Sequence, residues 1–183
     1  MDMAEMIKLA SAEGAKVAIE TVNSEKKKIS KEWHDRRLRN TKLLLKNYRS
    51  LNEHINSAVF EQSKLEELEA ESPQEILELM WESKNSEVVV NSIKRSVMRT
   101  KVIMTHVNTM LSLYETFCDK SPHEEDRRRW RVIKAMYISP EISTAEEIAK
   151  AENIEKRTVY RDVDKAIERI SSLIFGIEGL KDI

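Results

Sequence analysis

The chain has 183 residues, of which 40% are hydrophobic and 34% charged, with a formal net charge of −1 and only three glycines and three prolines. So few turn-forming residues exclude a turn-rich sheet protein and favour an all-α fold built on long helices. The single cysteine, Cys118, excludes an intramolecular disulfide, and no apolar run approaches the ~20 residues of a membrane-spanning helix. The N-terminus has no apolar signal core, so we expect a protein of the reducing cytoplasm with no membrane partner.

The first part of the chain has the pattern of long helices. One helical stretch precedes residue 72, with a predicted break near Asn23-Ser24, and its later part shows the three- and four-residue spacing of a packed helix. The residues at that spacing are Leu44, Tyr48, Leu51, Ile55, Ala58, Gln62 and Leu65. Ser72-Pro73-Gln74-Glu75 then predicts a helix start, because serine and glutamate can cap it reciprocally and proline loses no hydrogen bond there. A short helix around Ile76 and Met80 follows.

A further long helix is predicted from about Glu87 to Cys118. Its apolar residues have heptad spacing: Val90, Ile93, Val97, Thr100, Met104, Val107, Leu111, Tyr114 and Cys118. Further apolar positions, Val89, Ile103, Met110 and Phe117, widen this face beyond the width of a two-stranded coil. We therefore expect residues 1–120 to form a helical bundle or coiled coil for oligomerisation or interaction. The pattern is compatible with partner helices from the same chain or from a second copy.

From residue 121 the pattern changes to short helices with tight turns. Ser121-Pro122-His123-Glu124 repeats the capping motif and predicts a helix over about 122–138, stopping before Pro140. Its predicted buried residues are Trp130, Ile133, Ala135 or Met136, and Tyr137. A second helix is predicted to begin at Ser143 or Thr144 and to end near Asn153, a residue type that tolerates the left-handed conformation. A third opens after Ile154 and carries inward Val159, Val163, Ala166, Ile167 and Ile170.

This order of elements predicts a helix-turn-helix domain over residues 121–183. Ala149 is small enough for two helices to cross there, and Ile154 fills the turn. Five side chains remain near the exposed N-terminal end of the third helix: Lys156, Arg157, Thr158, Tyr160 and Arg161. In this motif that end enters the major groove of double-stranded DNA, where arginine can bind guanine while lysine and threonine hold phosphates. The alternative is three packed helices with a solvated charged face.

Additional phosphate contacts are predicted outside the third helix's N-terminal end. The candidates are Arg128, Arg129, Arg131 and Lys165. The first three belong to a basic run in the first helix of this domain, where solubility of the helix surface is an equally good explanation.

The stretch TAEEIAKAENIEKRTVYRDVDKAIERI at 144–170 resembles region four of bacterial sigma factors, the helix-turn-helix that recognises an upstream promoter element. With RRLRNTKLLLKNYR at 36–49 and SSLIFGIEGL at 171–180, most of the chain looks more closely like phage regulators of the ArpU and RinA type. The resemblance implies a sequence-specific transcriptional regulator, an activator of phage or prophage late genes in a bacterial host cell. It assigns base and phosphate contacts to Lys156, Arg157, Tyr160 and Arg161.

The chain departs from the sigma-factor pattern in two respects. Sigma factors commonly have serine or threonine at the cap of the recognition helix, and this chain has Glu155, whose carboxylate can still satisfy the helix end but lies close to DNA phosphates. The chain also lacks a recognisable sigma region two. We therefore do not expect it to melt a promoter as a standalone sigma factor.

Two charge blocks lie in the N-terminal part. Residues 26–49 carry ten lysines and arginines against two carboxylates, whereas residues 61–87 carry nine glutamates against two lysines. The basic block fits a second nucleic-acid surface, a face for the acidic block, a contact with RNA polymerase, or a solvated amphipathic helix. Its candidate residues are Arg36, Arg37, Arg39, Lys42, Lys46 and Arg49.

The sequence has no enzyme signature, so we expect no catalytic residue, no metal and no cofactor. The four histidines, His34, His54, His106 and His123, lack the spacing of metal ligands, and the three glycines cannot form a phosphate-binding loop. Two alternatives to a regulator remain. One is a DNA-packaging subunit like a small terminase, which also pairs a helix-turn-helix with an oligomerising helical region. The other is a helical scaffold for protein interactions.

Overall fold

The computed structural model describes residues 2–58 and 97–176, together with positions 72–73, 75–77, 90 and 93. All regular structure in this part of the chain is helical, which confirms the predicted all-α class. The elements are α1 Met3–Lys46, α2 Tyr48–Ala58, α3 Val97–Lys120, α4 Glu124–Ile133, a π-helical turn Lys134–Ile138, α5 Ala145–Ala151 and α6 Lys156–Phe175. None of the helices in these ranges is long and apolar enough to cross a membrane.

The chain divides into two compact units, residues 1–36 and 37–183. In the first unit the backbone is helical from residue 3 onward, and the side chains from Ser11 to Asp35 are exposed. The predicted break near Asn23-Ser24 is wrong. The Ser24 hydroxyl donates to the carbonyl of Thr21 at 2.8 Å, so this polar side chain is satisfied within an uninterrupted helix.

The interruption falls at Asn47 instead, between α1 and α2. The Asn47 side-chain amide donates to the carbonyl of Leu43 at 2.9 Å, which is the same oxygen that its backbone N–H contacts at 3.1 Å. A side chain that binds a backbone carbonyl in this way competes with the regular backbone hydrogen bonds of the helix.

One core of buried apolar side chains holds the second unit together. In this unit α3 packs against α2, α4 and α6, and α6 packs against α3, α4 and α5. The core residues of α3 confirm the predicted heptad spacing: Thr100, Met104, Val107, Leu111, Tyr114 and Cys118 are buried. Phe117 was predicted to widen this face, and that prediction is wrong, since its side chain is 61% exposed. Residues 114 and 118 stack on the packed face of α3, whereas residue 117 lies beyond its edge.

The packing of α3 on α4 and α6 crosses the predicted domain boundary between residues 120 and 121. Polar contacts accompany it. The indole nitrogen of Trp130 donates to a Glu115 carboxylate oxygen at 2.8 Å, and Nε2 of His106 lies 2.9 Å from the carbonyl oxygen of Ile174. The role of residues 121–183 as a separate domain stays a prediction.

The two capping motifs behave differently. At residues 72–75 the prediction is confirmed, because Ser72 and Glu75 exchange backbone-to-side-chain hydrogen bonds in both directions. At residues 121–124 it is wrong: His123 occupies the cap position, and α4 begins at Glu124. The Ser121 hydroxyl donates to Asp126 at 2.7 Å, and Glu124 binds Arg127 and Arg131, so neither side chain takes part in a reciprocal cap.

The predicted inward face of residues 122–138 is confirmed in its first half and shifted in its second. Trp130, Ile133 and the unpredicted Val132 are buried, whereas residues 135–137 are only partly buried. The N–H of Ser139 donates to the carbonyl of Lys134 at 2.8 Å, a five-residue spacing that widens the last turn. The extra residue rotates the following side chains away from the positions that regular α-helical spacing predicts.

A buried carboxylate lies at the contact between α4 and α6. Asp162 of α6 is 1% exposed, and its Oδ2 accepts a 2.7 Å hydrogen bond from Nε of Arg128. A second nitrogen of Arg128 lies 3.4 Å from Oδ1, and Nε of Arg129 lies 3.7 Å from it. Because a carboxylate removed from water needs charged partners to replace its hydration, the two arginines fix α6 against α4.

The first prediction concerns this contact. Asp162→Ala leaves the partly buried guanidinium group of Arg128 without its carboxylate, whereas Arg129 keeps its ion pair with Asp126, and we expect the change to lower the free energy of unfolding by about 3 kcal/mol. Asp164→Ala, which removes an exposed carboxylate two residues further along α6, is the matched control and should change it by less than about 0.5 kcal/mol. Urea denaturation measures both; equal effects would contradict the role of Asp162.

Candidate nucleic-acid interface

The start of α5 is fixed by a reciprocal cap. Thr144 occupies the cap position; its hydroxyl accepts from the N–H of Glu147 at 3.2 Å, and the Glu147 carboxylate accepts from the N–H of Thr144 at 2.7 Å. This confirms Thr144 as the residue before the helix. The backbone hydrogen bond from Thr144 lowers the pKa of Glu147, so the cap loses strength only when the pH falls below the ordinary carboxylate range.

The turn between α5 and α6 has a defined hydrogen-bonding pattern. Asn153 has a φ of 53°, as predicted for the residue that ends this helix. The N–H of Ile154 donates to the carbonyl of Ala149 at 2.9 Å, and that of Asn153 donates toward Lys150 at 3.4 Å. These two bonds form a Schellman motif, which satisfies the last carbonyls of α5 and reverses the chain within four residues.

Buried residues hold α5 and α6 together beyond this turn. Ile148 and Ala149 of α5 are buried, and so are the inward-facing residues of α6: Val159, Val163, Ala166, Ile167 and Ile170. Ile154 is partly buried against the same core. These observations confirm the predicted inward positions. The core therefore determines which side of α6 faces solvent.

The N-terminal end of α6 presents the predicted contact residues to solvent. Lys156, Arg157 and Arg161 are exposed, Tyr160 is 51% exposed, and Thr158 is partly buried. Their positions follow the i, i+1, i+4, i+5 spacing of one helix face, opposite to the buried face. The structure thus brings four of the five residues together on one open strip.

Glu155 occupies the cap position of α6, but its side chain makes no capping hydrogen bond. The suggestion that its carboxylate satisfies the helix end is therefore wrong. The backbone of Glu155 is extended, and the N–H groups of the first turn of α6 have no side-chain acceptor at the cap. A helix end of this kind carries a partial positive charge.

An ion pair covers part of this end. The ammonium group of Lys156 binds the carboxylate of Glu146, which lies in the first turn of α5. This hydrogen bond lowers the pKa of Glu146 and raises that of Lys156, so both groups remain charged around neutral pH. No local sequence pattern indicates this pairing, because it depends on how the turn places α5 beside α6.

Three of the four additional candidates for phosphate contacts have carboxylate partners in the protein. Arg128 and Arg129 lie near Asp162, as described above, and Arg131 binds Glu152 at 2.7 and 2.8 Å. Lys165 is exposed. Arg128 and Arg129 therefore contribute to the packing of α4 against α6, and Arg131 pairs with Glu124 of its own helix as well as with Glu152. The role of all four residues as phosphate contacts stays a prediction.

The basic block separates into residues of different burial. Arg49 donates to the carbonyl oxygens of Ser139 at 2.6 Å and Met136 at 3.4 Å, at the end of the π-helical turn. Arg36 and Arg37 are partly buried. Of the six candidate residues in the block, three are exposed: Arg39, Lys42 and Lys46. Arg49 is thus a structural residue, and the exposed cations form a smaller surface than the sequence predicted.

Within the described ranges, no group of three or more histidine, cysteine, aspartate or glutamate side chains could hold a metal ion. Cys118 is buried in the core, and burial raises the pKa of its thiol.

Comparison of the chain with protein-family models, curated proteins and solved structures finds no match.

The second prediction tests the turn that orients α6. Asn153→Ala places a side chain with no local polar group in the left-handed region and should destabilise the protein by about 1 kcal/mol. Asn153→Gly keeps the conformation accessible and should leave stability close to that of the natural chain. Thermal unfolding of the two variants measures the difference, and equal stability would show that the positive φ does not constrain the turn.

Proposed function

We propose that the chain is a sequence-specific regulator of transcription that binds double-stranded DNA, of the ArpU and RinA type that its sequence resembles. One observation carries the proposal: two exposed arginines, a lysine and a tyrosine form an open strip on the first two turns of α6. The opposite face of that helix is buried. We propose that α5 and α6 are the two helices of a DNA-binding helix-turn-helix and that α6 enters the major groove.

The side-chain chemistry of the strip supports this proposal. The major groove admits an α-helix, and arginine can bind the two acceptors of guanine through two parallel hydrogen bonds. Arg157 and Arg161 lie four residues apart on one exposed face, so both can approach base edges from the same helix. Lys156 lies at the N-terminal end, where a cation and open backbone N–H groups favour a phosphate.

The rigidity of the support also favours recognition of a particular sequence. Base contacts need side chains held on a well-positioned element. The Schellman turn fixes α6 on one side, and the contact of Asp162 with Arg128 fixes it on the other. If these charged side chains only faced solvent, the position of α6 would not need to be fixed by both contacts.

The charge distribution supports a local electrostatic attraction. The whole chain has a formal net charge of −1, so the protein as a whole does not attract DNA. Attraction must come from the cations of α6, which include Lys165 one turn beyond Arg161. If the protein activates transcription by contacting RNA polymerase, the exposed Arg39, Lys42 and Lys46 offer a basic surface for that contact.

The third prediction is that replacing the arginines of this strip weakens sequence selection. The natural chain should enrich one short duplex from a random pool, and Arg157→Ala or Arg161→Ala should cost about 1–3 kcal/mol on that duplex for each lost base contact. Arg169→Ala removes the same charge from an exposed position two turns further along α6 and is the matched control. Fluorescence anisotropy on selected and random duplexes measures the difference.

Several outcomes would contradict the proposal. If both arginine variants bind selected and random DNA like the natural chain, α6 is not the recognition helix. A DNA-packaging subunit would form a large ring in light scattering and associate with an ATPase. A scaffold would bind no duplex, whereas phosphate contacts predict that the logarithm of affinity falls with the logarithm of salt, with a slope of about −0.9 per contact.

The fourth prediction concerns the ion pair beside the strip. Glu146→Gln removes a carboxylate near the proposed phosphate position and releases Lys156, so binding to random duplex at low salt should strengthen, by about threefold for an exposed pair. Glu168→Gln, which changes the same charge at an exposed position near the other end of α6, should have little effect. Equal strengthening by both variants would indicate a general charge effect.

A further inference from the structure

Among the described side chains of the first unit, several large apolar ones are exposed to solvent. From Ser11 to Asp35 every side chain of this helical segment is exposed. Several of them are large and apolar: Val17 (55%), Ile19 (61%), Val22 (52%) and Ile29 (53%). A single helix in water gains little from its own hydrogen bonds, and most helices depend on packing of one face. This segment therefore needs a partner.

The exposed residues define one seam along the helix. Steps of three and four residues, as in a coiled coil, connect Ala12, Ala15, Ile19, Val22, Lys26, Ile29 and Trp33. Val17 lies outside this sequence of steps. The seam begins with small residues and ends with large ones, because alanines occupy its first two positions and isoleucine and tryptophan its last two.

We infer that this seam binds the same seam of a second copy of the chain, with the two helices antiparallel. In that orientation the numbers of two residues that face each other sum to about 48. Ala15 of one copy therefore faces Trp33 of the other, and Ile19 faces Ile29. Each small side chain then lies opposite a large one, and the two helices keep a uniform separation. A parallel pair would set alanine against alanine at one end and tryptophan against tryptophan at the other.

The charges favour the same orientation. Residues 13–25 carry three glutamates and one lysine, whereas residues 26–36 carry five lysines and arginines against two carboxylates. An antiparallel pair sets the acidic half of each helix beside the basic half of its partner. A parallel pair would align like halves, which is unfavourable.

Lys26 gives a third reason. It is the one charged residue among these seam positions, and in a parallel pair it would face the same lysine of the other copy. In the antiparallel pair it faces Val22, along which its aliphatic stem can pack while its ammonium group reaches water. The interface is isologous, as expected for a two-fold dimer.

This inference does not rest on the proposed DNA-binding function, because it uses only residues of the first unit. The closing experiment is accordingly done without DNA. The outcomes of the DNA-selection measurement and of this one are independent, so failure of either proposal can be recognised separately.

Crosslinking between cysteine variants of the full chain tests the orientation. Ile19→Cys and Ile29→Cys should each give little disulfide-linked dimer alone, because the two equivalent positions are about 15 Å apart along an antiparallel pair. An equimolar mixture of the two variants should form the linked dimer on mild oxidation. The natural chain, which keeps the buried Cys118, is the control for background reaction. Faster self-crosslinking of either variant alone, or no linkage in the mixture, overturns the antiparallel dimer.

Light scattering without oxidant tests association itself. The natural chain should have the mass of a dimer, and the double variant Ile19→Asp/Ile29→Asp should raise the dissociation constant more than about tenfold. Val17→Asp introduces a charge at an equally exposed position off the seam and should remain a dimer. Circular dichroism of each variant verifies that helix content is kept. A monomeric natural chain, or equal weakening by Val17→Asp, overturns the inference.

Discussion

The contact between the Asp162 carboxylate and the guanidinium groups of Arg128 and Arg129 is the interaction on which the orientation of α6 depends. Asp162 lies among the buried residues of α6, on the face that packs against α4. The apolar residues around it determine which side of α6 faces solvent, and the carboxylate adds a directional requirement to that packing. A buried carboxylate tolerates one arrangement, since only there do the arginines replace its lost hydration. The strip of cations on the other face is oriented by the same contact.

The turn before α6 adds a second, local constraint. The Schellman hydrogen bonds and the positive φ of Asn153 set where α6 begins. The contact of Asp162 with Arg128 and the apolar core set the rotation of α6 about its axis. Glu146 then lies close enough to bind Lys156. Recognition of DNA, if α6 enters the major groove, would use a helix whose position is already fixed in the free protein, which reduces the entropy lost on binding.

Local signals in the sequence predicted the elements near this surface well. The cap at Thr144, the left-handed Asn153 and the inward residues of α6 are confirmed because each depends on the chain within a few residues. The failures occur where a local pattern allowed more than one arrangement. Ser121 does not cap α4 because its hydroxyl donates to Asp126 instead. Phe117 is exposed because α3 packs on the face that carries Tyr114 and Cys118.

Charged residues were the hardest to assign from sequence. A basic run in α4 resembles a nucleic-acid surface, but Arg128 and Arg131 also bind carboxylates that come close only in the folded chain, Asp162 and Glu152. Asp162 could have been noticed, because it falls on the inward side of α6 where the surrounding pattern is apolar. Arg49 could not, since its acceptors at Met136 and Ser139 are about ninety residues away in sequence.

The central claim is that the N-terminal end of α6 is the surface that contacts DNA. Backbone amide shifts of the isotopically labelled full chain, recorded while a short duplex is added at low salt, test it most directly. The largest shifts should fall within residues 155–161 and should decrease as salt is raised. Shifts concentrated in residues 37–49, or in none of the helices of the second unit, would contradict it.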